Sequence, residues 1–235
     1  MSGLSKNKKH VLISSFPKSG STFLARILSN LPNMRQAGLV TGYGHREQEL
    51  GVERLLFYNF TNYVARHHTK FSSTTDNLIS IFNLKPIILV RNIFDTVVSV
   101  HDHFYQESIE VPFSFIPEQF LDWDEKKSFD FICDMCVPWF LSFYASWYQF
   151  DKKLLIRYED LTQNTEPTIS QIMKYLDFDY NSYDLSKSLK KTGSDDTRFN
   201  VGKIGRGKNL SDTQKNKIIE LTKYYPGIDF SFILS

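Results

Sequence analysis

At 235 residues the chain has the length of one domain with a sizeable apolar core, and 41% hydrophobic content is ordinary for a globular protein. A net charge of +2 carries no whole-chain polyelectrolyte signal, and no apolar run reaches the roughly 18 residues of a membrane span. Met1 to His10 is polar and basic, without the apolar centre of a signal peptide, so the chain reads as soluble and cytoplasmic.

The first predicted element is a strand over 10–15, built on Val11, Leu12 and Ile13. Pro17-Lys18-Ser19-Gly20-Ser21-Thr22-Phe23 comes next, and a helix is predicted over 21–31. A strand, a tight turn and a helix start make a phosphate cradle, because the first helical turn exposes unpaired N–H groups at the positive end of the dipole. Gly20 lets the backbone approach an anion. Lys18 adds a point charge, and Ser19, Ser21 and Thr22 add donors. The lysine precedes the glycine, unlike the ATP-binding loop, where it comes after the loop glycines. The plain structural alternative is a strand-to-helix turn with a surface lysine.

Residues 35–60 lack clean periodicity and read as a loop. A strand near 62–67 ends in Arg66-His67-His68-Thr69-Lys70, and a helix is predicted over 74–83. Pro86 to Val90 is an apolar, β-branched run that reads as a buried parallel strand. Arg91 stands at its carboxyl end, where ligands bind in open α/β sheets. A helix over 93–105 lets Arg91 and Ser99 face one pocket; an arginine paired with a carboxylate is the alternative. Residues 106–127 read as a loop or lid. Residues 101–134 hold nine Asp/Glu against two Lys. Asp102, Phe104, Glu107 and Trp123 lie there. Carboxylates beside aromatic faces suit a cation, and a solvated acidic loop is the plainer reading.

A helix over 128–150 carries Cys133 and Cys136, read as core packing rather than as a redox or metal pair. A strand over 153–157 runs into Tyr158-Glu159-Asp160-Leu161, and helices are predicted over 165–176, 183–191 and 211–223. Residues 185–223 hold ten Lys/Arg against four Asp/Glu, which suits a multiply anionic nucleotide. The stretch lacks the interleaved aromatics of a nucleic-acid surface. Strands alternating with helices predict an α/β fold with a parallel sheet covered on both faces.

Four segments together resemble the sulfotransferases that use 3′-phosphoadenosine-5′-phosphosulfate (PAPS). Pro17 to Phe23 is similar to the family's 5′-phosphosulfate loop. Arg91-Asn92-Ile93-Phe94-Asp95, with Ser99 eight residues after the arginine, is similar to its 3′-phosphate motif, with Ile93 where proline is usual. Leu154 to Leu161 resembles a strand end whose tyrosine, here Tyr158, would meet the adenine. Phe199 to Ser211 is similar to the C-terminal phosphate loop, matching at Gly202, Gly205, Lys208, Asn209 and Ser211. It departs at Asn200-Val201, where Arg-Lys is expected, and at Arg206-Gly207, where Asp-Trp is common. Arg198, Lys203 and Arg206 are the cations that could replace the missing pair. The resemblance implies a P-loop-like three-layer fold, a central parallel sheet flanked by helices, in one domain over residues 1–235. It implies PAPS as cosubstrate, PAP (3′-phosphoadenosine-5′-phosphate) as product, no metal, and an acceptor pocket bordered by the segment after the 3′-phosphate helix, with Asp102, Phe104, Glu107 and Trp123 as candidate acceptor contacts.

Sulfuryl transfer needs the donor's phosphates held, the leaving charge stabilised and the acceptor deprotonated. Lys18 would stabilise the oxygen bridging sulfur and phosphorus. A histidine at a neighbouring strand end would take the proton, since its pKa sits near working pH. Alignment with the family's Lys-Thr-His segment puts His68 in that role, with His67 as runner-up and His101, His103 or a carboxylate behind. A compact chain suits a small acceptor, with a hydroxyl or amine on a cationic, alkaloid-like natural product as one candidate. The rivals are an ATP-dependent small-molecule kinase and a non-catalytic PAP-binding protein. Arg91, a cation where a magnesium-holding carboxylate would end the strand, argues against the kinase.

Overall fold

The computed structural model describes residues 8–42, 47–178, 182–194 and 203–235. Among the described residues five strands form one sheet: β1 (His10–Ser15), β2 (Arg35–Ala37), β3 (Tyr63–His67), β4 (Leu84–Val90) and β5 (Leu154–Arg157). Their order is β2-β3-β1-β4-β5, and every neighbouring pair is parallel. Parallel neighbours need crossovers, and the chain supplies them as helices.

The sheet is buried on both faces. Along β1, Leu12 joins one core while Val11 and Ile13 join the other, as a period of two requires. Helix α1 (Ser21–Ser29) covers one face with α8 (Thr165–Tyr175) and α9 (Ser182–Ser194). The other face is covered by α3 (Ser73–Phe82), α4 (Ile93–Gln106) and α6 (Val137–Tyr148), the last burying Trp139, Phe140, Phe143 and Trp147.

The register positions the site. Ser14 lies beside His67 on one side and Ile88 on the other, and Val90 lies beside Arg157. The residues just past β1, β3, β4 and β5 therefore meet along one carboxyl edge.

Three expectations need correcting. The long helix over 128–150 is two helices, α5 (Glu125–Phe131) and α6, joined by a π turn at Ile132–Cys136. Pro138 lacks the N–H that would continue the ladder and crowds the preceding turn, so the helix widens there. Cys133 and Cys136 lie in this turn as buried free thiols, and burial pushes both up to about 12. Segment 35–60, read as loop, contains edge strand β2 and helix α2 (Val52–Tyr58). Segment 106–127 does not stand off as a lid: Val111, Phe113, Ile116 and Phe120 are buried in the core, and a short 3-10 turn spans Glu118–Asp122.

Candidate active site

The β1–α1 turn is shaped by two left-handed residues. Lys18 has φ 66° and Gly20 φ 81°. A Cβ on Gly20 would also lie 2.9 Å from the Tyr158 ring, so glycine is required there twice over. α1 starts at Ser21, and no side-chain hydrogen bond caps it at Gly20. Lys18, Gly20, Ser21, Thr22 and Phe23 line one cavity at the carboxyl edge of the sheet. Ser19 does not. Its hydroxyl donates to the Phe16 carbonyl at 2.7 Å and reaches the Leu89 carbonyl at 3.2 Å, so it ties the turn to the sheet.

The strand-end histidines separate by the period of the strand. His67 is directed with Tyr63 and Ala65 into the core, where its Nε2 accepts the Leu39 N–H at 2.9 Å. Burial, with smaller contributions from His68 and Arg66, drives its pKa down to about 3. His68 points the other way and lines the cavity. Its Nδ1 lies 2.8 Å from the Ser15 carbonyl. A carbonyl only accepts, so Nδ1 carries the proton and Nε2 is the basic nitrogen. Burial lowers the His68 pKa to about 4, against the opposing pull of that hydrogen bond. Its backbone N–H is held by Gln48 Oε1 at 2.8 Å.

Arg91 is buried where β4 ends. Its guanidinium donates to the backbone carbonyls of Lys18 (3.2 Å) and Lys203 (2.9 Å), binding two loops together. It lies over the Tyr158 ring, 4.5 Å from the centroid. Its Nε is buried without a hydrogen-bond partner among the described residues. Burial pulls its pKa down, opposed by Tyr158, Asp95 and Glu159. Ser99, two turns along α4, faces the same cavity.

The C-terminal loop is held by Asp95. Its two carboxylate oxygens accept the N–H groups of Gly205 (2.8 Å) and Gly207 (2.7 Å). Gly207 sits so close to Phe94 that a Cβ would come within 2.4 Å of its side chain. Lys203 contributes its backbone carbonyl to Arg91, with its side chain at the surface. Arg206 is paired with Asp102 at 2.7 Å. Arg198 and Gly202 lie outside the described residues.

Of the four candidate acceptor contacts, one lines the cavity and three do not. Glu107 lines the cavity. Asp102 is turned to Arg206, and Phe104 is 2% exposed in the core against Phe113 and Phe120. Trp123 packs on Phe120 and Phe131, with the Lys127 ammonium over its ring. The cavity wall is instead completed by Arg66, His103, Glu110, Val111, Pro112 and Phe113. Two of these were readable: Arg66 shares the strand face of His68, and His103 lies one helical turn beyond Ser99. Among the described residues no three His, Cys, Asp or Glu side chains gather as a metal site, and no helix is long and apolar enough to cross a membrane.

A family model described as "Sulfotransferase domain" matches residues 8–225. The fold is similar to that of mouse sulfotransferase SULT7A1 complexed with PAP, at 19% identity and a TM-score of 0.69, over 99% of this chain and 89% of that one. It is also similar to retinol dehydratase in a complex with retinol and PAP, at 13% identity and a TM-score of 0.61, over 97% and 84% of the two chains. The sulfotransferase STF1 from Mycobacterium tuberculosis H37Rv aligns at 9% identity and a TM-score of 0.51, over 94% and 77%. No curated protein matches the chain in sequence.

Proposed function

The chain belongs to the sulfotransferase family, and from that premise we propose that it moves a sulfuryl group from PAPS to a hydroxyl or amine of a small-molecule acceptor, with residues 1–235 acting as one domain. The observation that carries the assignment of roles is the His68 tautomer. The Ser15 carbonyl holds the proton on Nδ1, which leaves Nε2 to act as base in the cavity that Lys18 and the start of α1 also line.

Three features support an anionic nucleotide there. No side-chain hydrogen bond caps α1 at Gly20, Arg91 Nε is buried without a described partner, and Gly20, with no room for a Cβ against the Tyr158 ring, leaves the backbone of the turn bare. The N–H groups of Gly20, Ser21 and Thr22 would hold the 5′ end, and Arg91 with Ser99 the 3′-phosphate. Tyr158, already stacked under Arg91, would flank the base. PAPS supplies the activated sulfuryl group. His68 Nε2 takes the acceptor's proton as the new S–O or S–N bond forms, and Lys18 Nζ meets the charge on the departing phosphate oxygen. Arg206 in the C-terminal loop would have to share itself between the 3′-phosphate and Asp102.

Glu107, paired with Lys18, and Glu110 stand with Phe113 on the acceptor side of the cavity, where an acceptor cation would compete with their present partners. Carboxylates beside an aromatic wall favour an ammonium or guanidinium group on the acceptor. In a mass-spectrometric screen with PAPS, amine-bearing acceptors are therefore expected to outcompete neutral phenols of similar size. Added salt is expected to raise KM for the cations more than for the phenols, because partly exposed charges are screened. Simple phenols winning, with no salt effect on the cations, would remove the cationic acceptor and leave the transferase standing.

A further inference from the structure

Lys18 is already engaged. Its Nζ donates to Glu107 Oε1 at 2.9 Å, and His103 Nδ1 lies 3.3 Å from the other oxygen of that carboxylate. Ser99, His103 and Glu107 are spaced four residues apart, so they lie in one row along and just beyond α4. That row joins the proposed 3′-phosphate end of the cavity to the acceptor end. The Lys18 and Glu107 side chains are only 16% and 26% exposed, so the pair is screened less than a surface pair. Burial pushes the Glu107 carboxyl up, but the contacts with Lys18 and His103 more than offset it and hold it below its ordinary value. The carboxylate is charged, and it draws the lysine towards the acceptor side.

We infer that Glu107 is a positioning residue for Lys18: it holds the ammonium on the acceptor side and competes with the donor's anionic groups for it. The inference rests on Lys18 being a donor-binding residue. It has a sign that a merely structural glutamate would not produce, because removing Glu107 frees the lysine and strengthens binding of the nucleotide.

A double-mutant cycle on PAP affinity, read by calorimetry, tests this. Glu107→Gln is expected to tighten PAP binding by about tenfold. In a Lys18→Ala background the same substitution is expected to change the affinity by less than about twofold, because no lysine remains to be freed. Glu107→Asp keeps the charge but shortens the reach, and is expected to bind PAP more tightly than the unmodified chain. Unchanged affinity in Glu107→Gln would overturn the inference. So would equal tightening with and without Lys18, which would make Glu107 a through-space charge only. If the unmodified chain fails to bind PAP, the donor reading falls and the inference with it. If PAP binds tightly and ignores Glu107→Gln, the inference alone falls.

Discussion

Lys18→Ala is expected to lower sulfuryl transfer by at least about 10²-fold while the protein stays folded. Lys18 sits on a tight turn, and its ammonium is paired with Glu107. Losing a partly exposed ion pair of this kind costs about 1 kcal/mol or less of stability. The same ammonium would face charge that appears only as the donor's S–O bond breaks. Such a group contributes to the barrier far more than to the fold. Turnover of labelled PAPS, measured beside a thermal melt, separates the two effects. A variant with the kcat of the unmodified chain would take Lys18 out of the mechanism. A melt lowered in step with the activity would make it structural.

The second large effect separates the two adjacent histidines. His68→Ala is expected to lose about 10²- to 10⁴-fold in transfer to a hydroxyl acceptor, with PAP affinity intact. His67→Ala is expected to act through the fold instead. It strands the buried Leu39 N–H, at a cost of about 1–3 kcal/mol before any cavity is counted. Its loss of activity should therefore track its loss of fold. The pH dependence carries a sign of its own. Both pKa values are depressed in the folded chain, to about 3 for His67 and about 4 for His68. At pH 7 both rings are neutral in the folded chain and mostly neutral in the unfolded one, so their titration contributes little to stability. As pH falls below about 6.5 the unfolded chain binds protons that the folded chain refuses, so stability declines towards pH 4. Activity should likewise persist below pH 6.5 until His68 itself is protonated. An acid limb centred on 6.5 would contradict the half-buried position of His68 in the cavity, as would a silent His68→Ala beside an inactive but stable His67→Ala.

The parts of the site that were legible in the sequence are those written in short, local patterns. β1 and β4 each carry a continuous apolar run, Val11 to Ile13 and Pro86 to Val90, because the sheet is buried on both faces, and the residue after such a strand lies at the ligand-binding edge. Pro17 to Phe23 and Arg91 could therefore be placed without any long-range information. Period-two alternation distinguishes Arg66 and His68 from His67. The same reasoning was available on α4 and points away from Phe104. Stepping by four from Ser99 reaches His103 and Glu107, whereas Phe104 lies on the core face. Helix α2 escaped because it buries only Leu55 and leaves Val52, Leu56 and Phe57 exposed, so it has no apolar stripe. The break in the helix over 128–150 was written at Pro138. Nothing local announces that Asp95 holds Gly205 and Gly207, 110 and 112 residues later, or that Glu107 reaches back to Lys18. Those contacts exist only once the sheet order is known.

The most direct test of sulfuryl transfer is turnover of PAPS carrying labelled sulfur, run with a panel of acceptors in the presence of a metal chelator and beside ATP with magnesium. The expected result is labelled sulfated product with one PAP released per sulfuryl group, undiminished by the chelator and lowered at least about 10²-fold with Lys18→Ala. Phosphorylated product from ATP and magnesium, with no sulfur moved from PAPS to any acceptor, would contradict it.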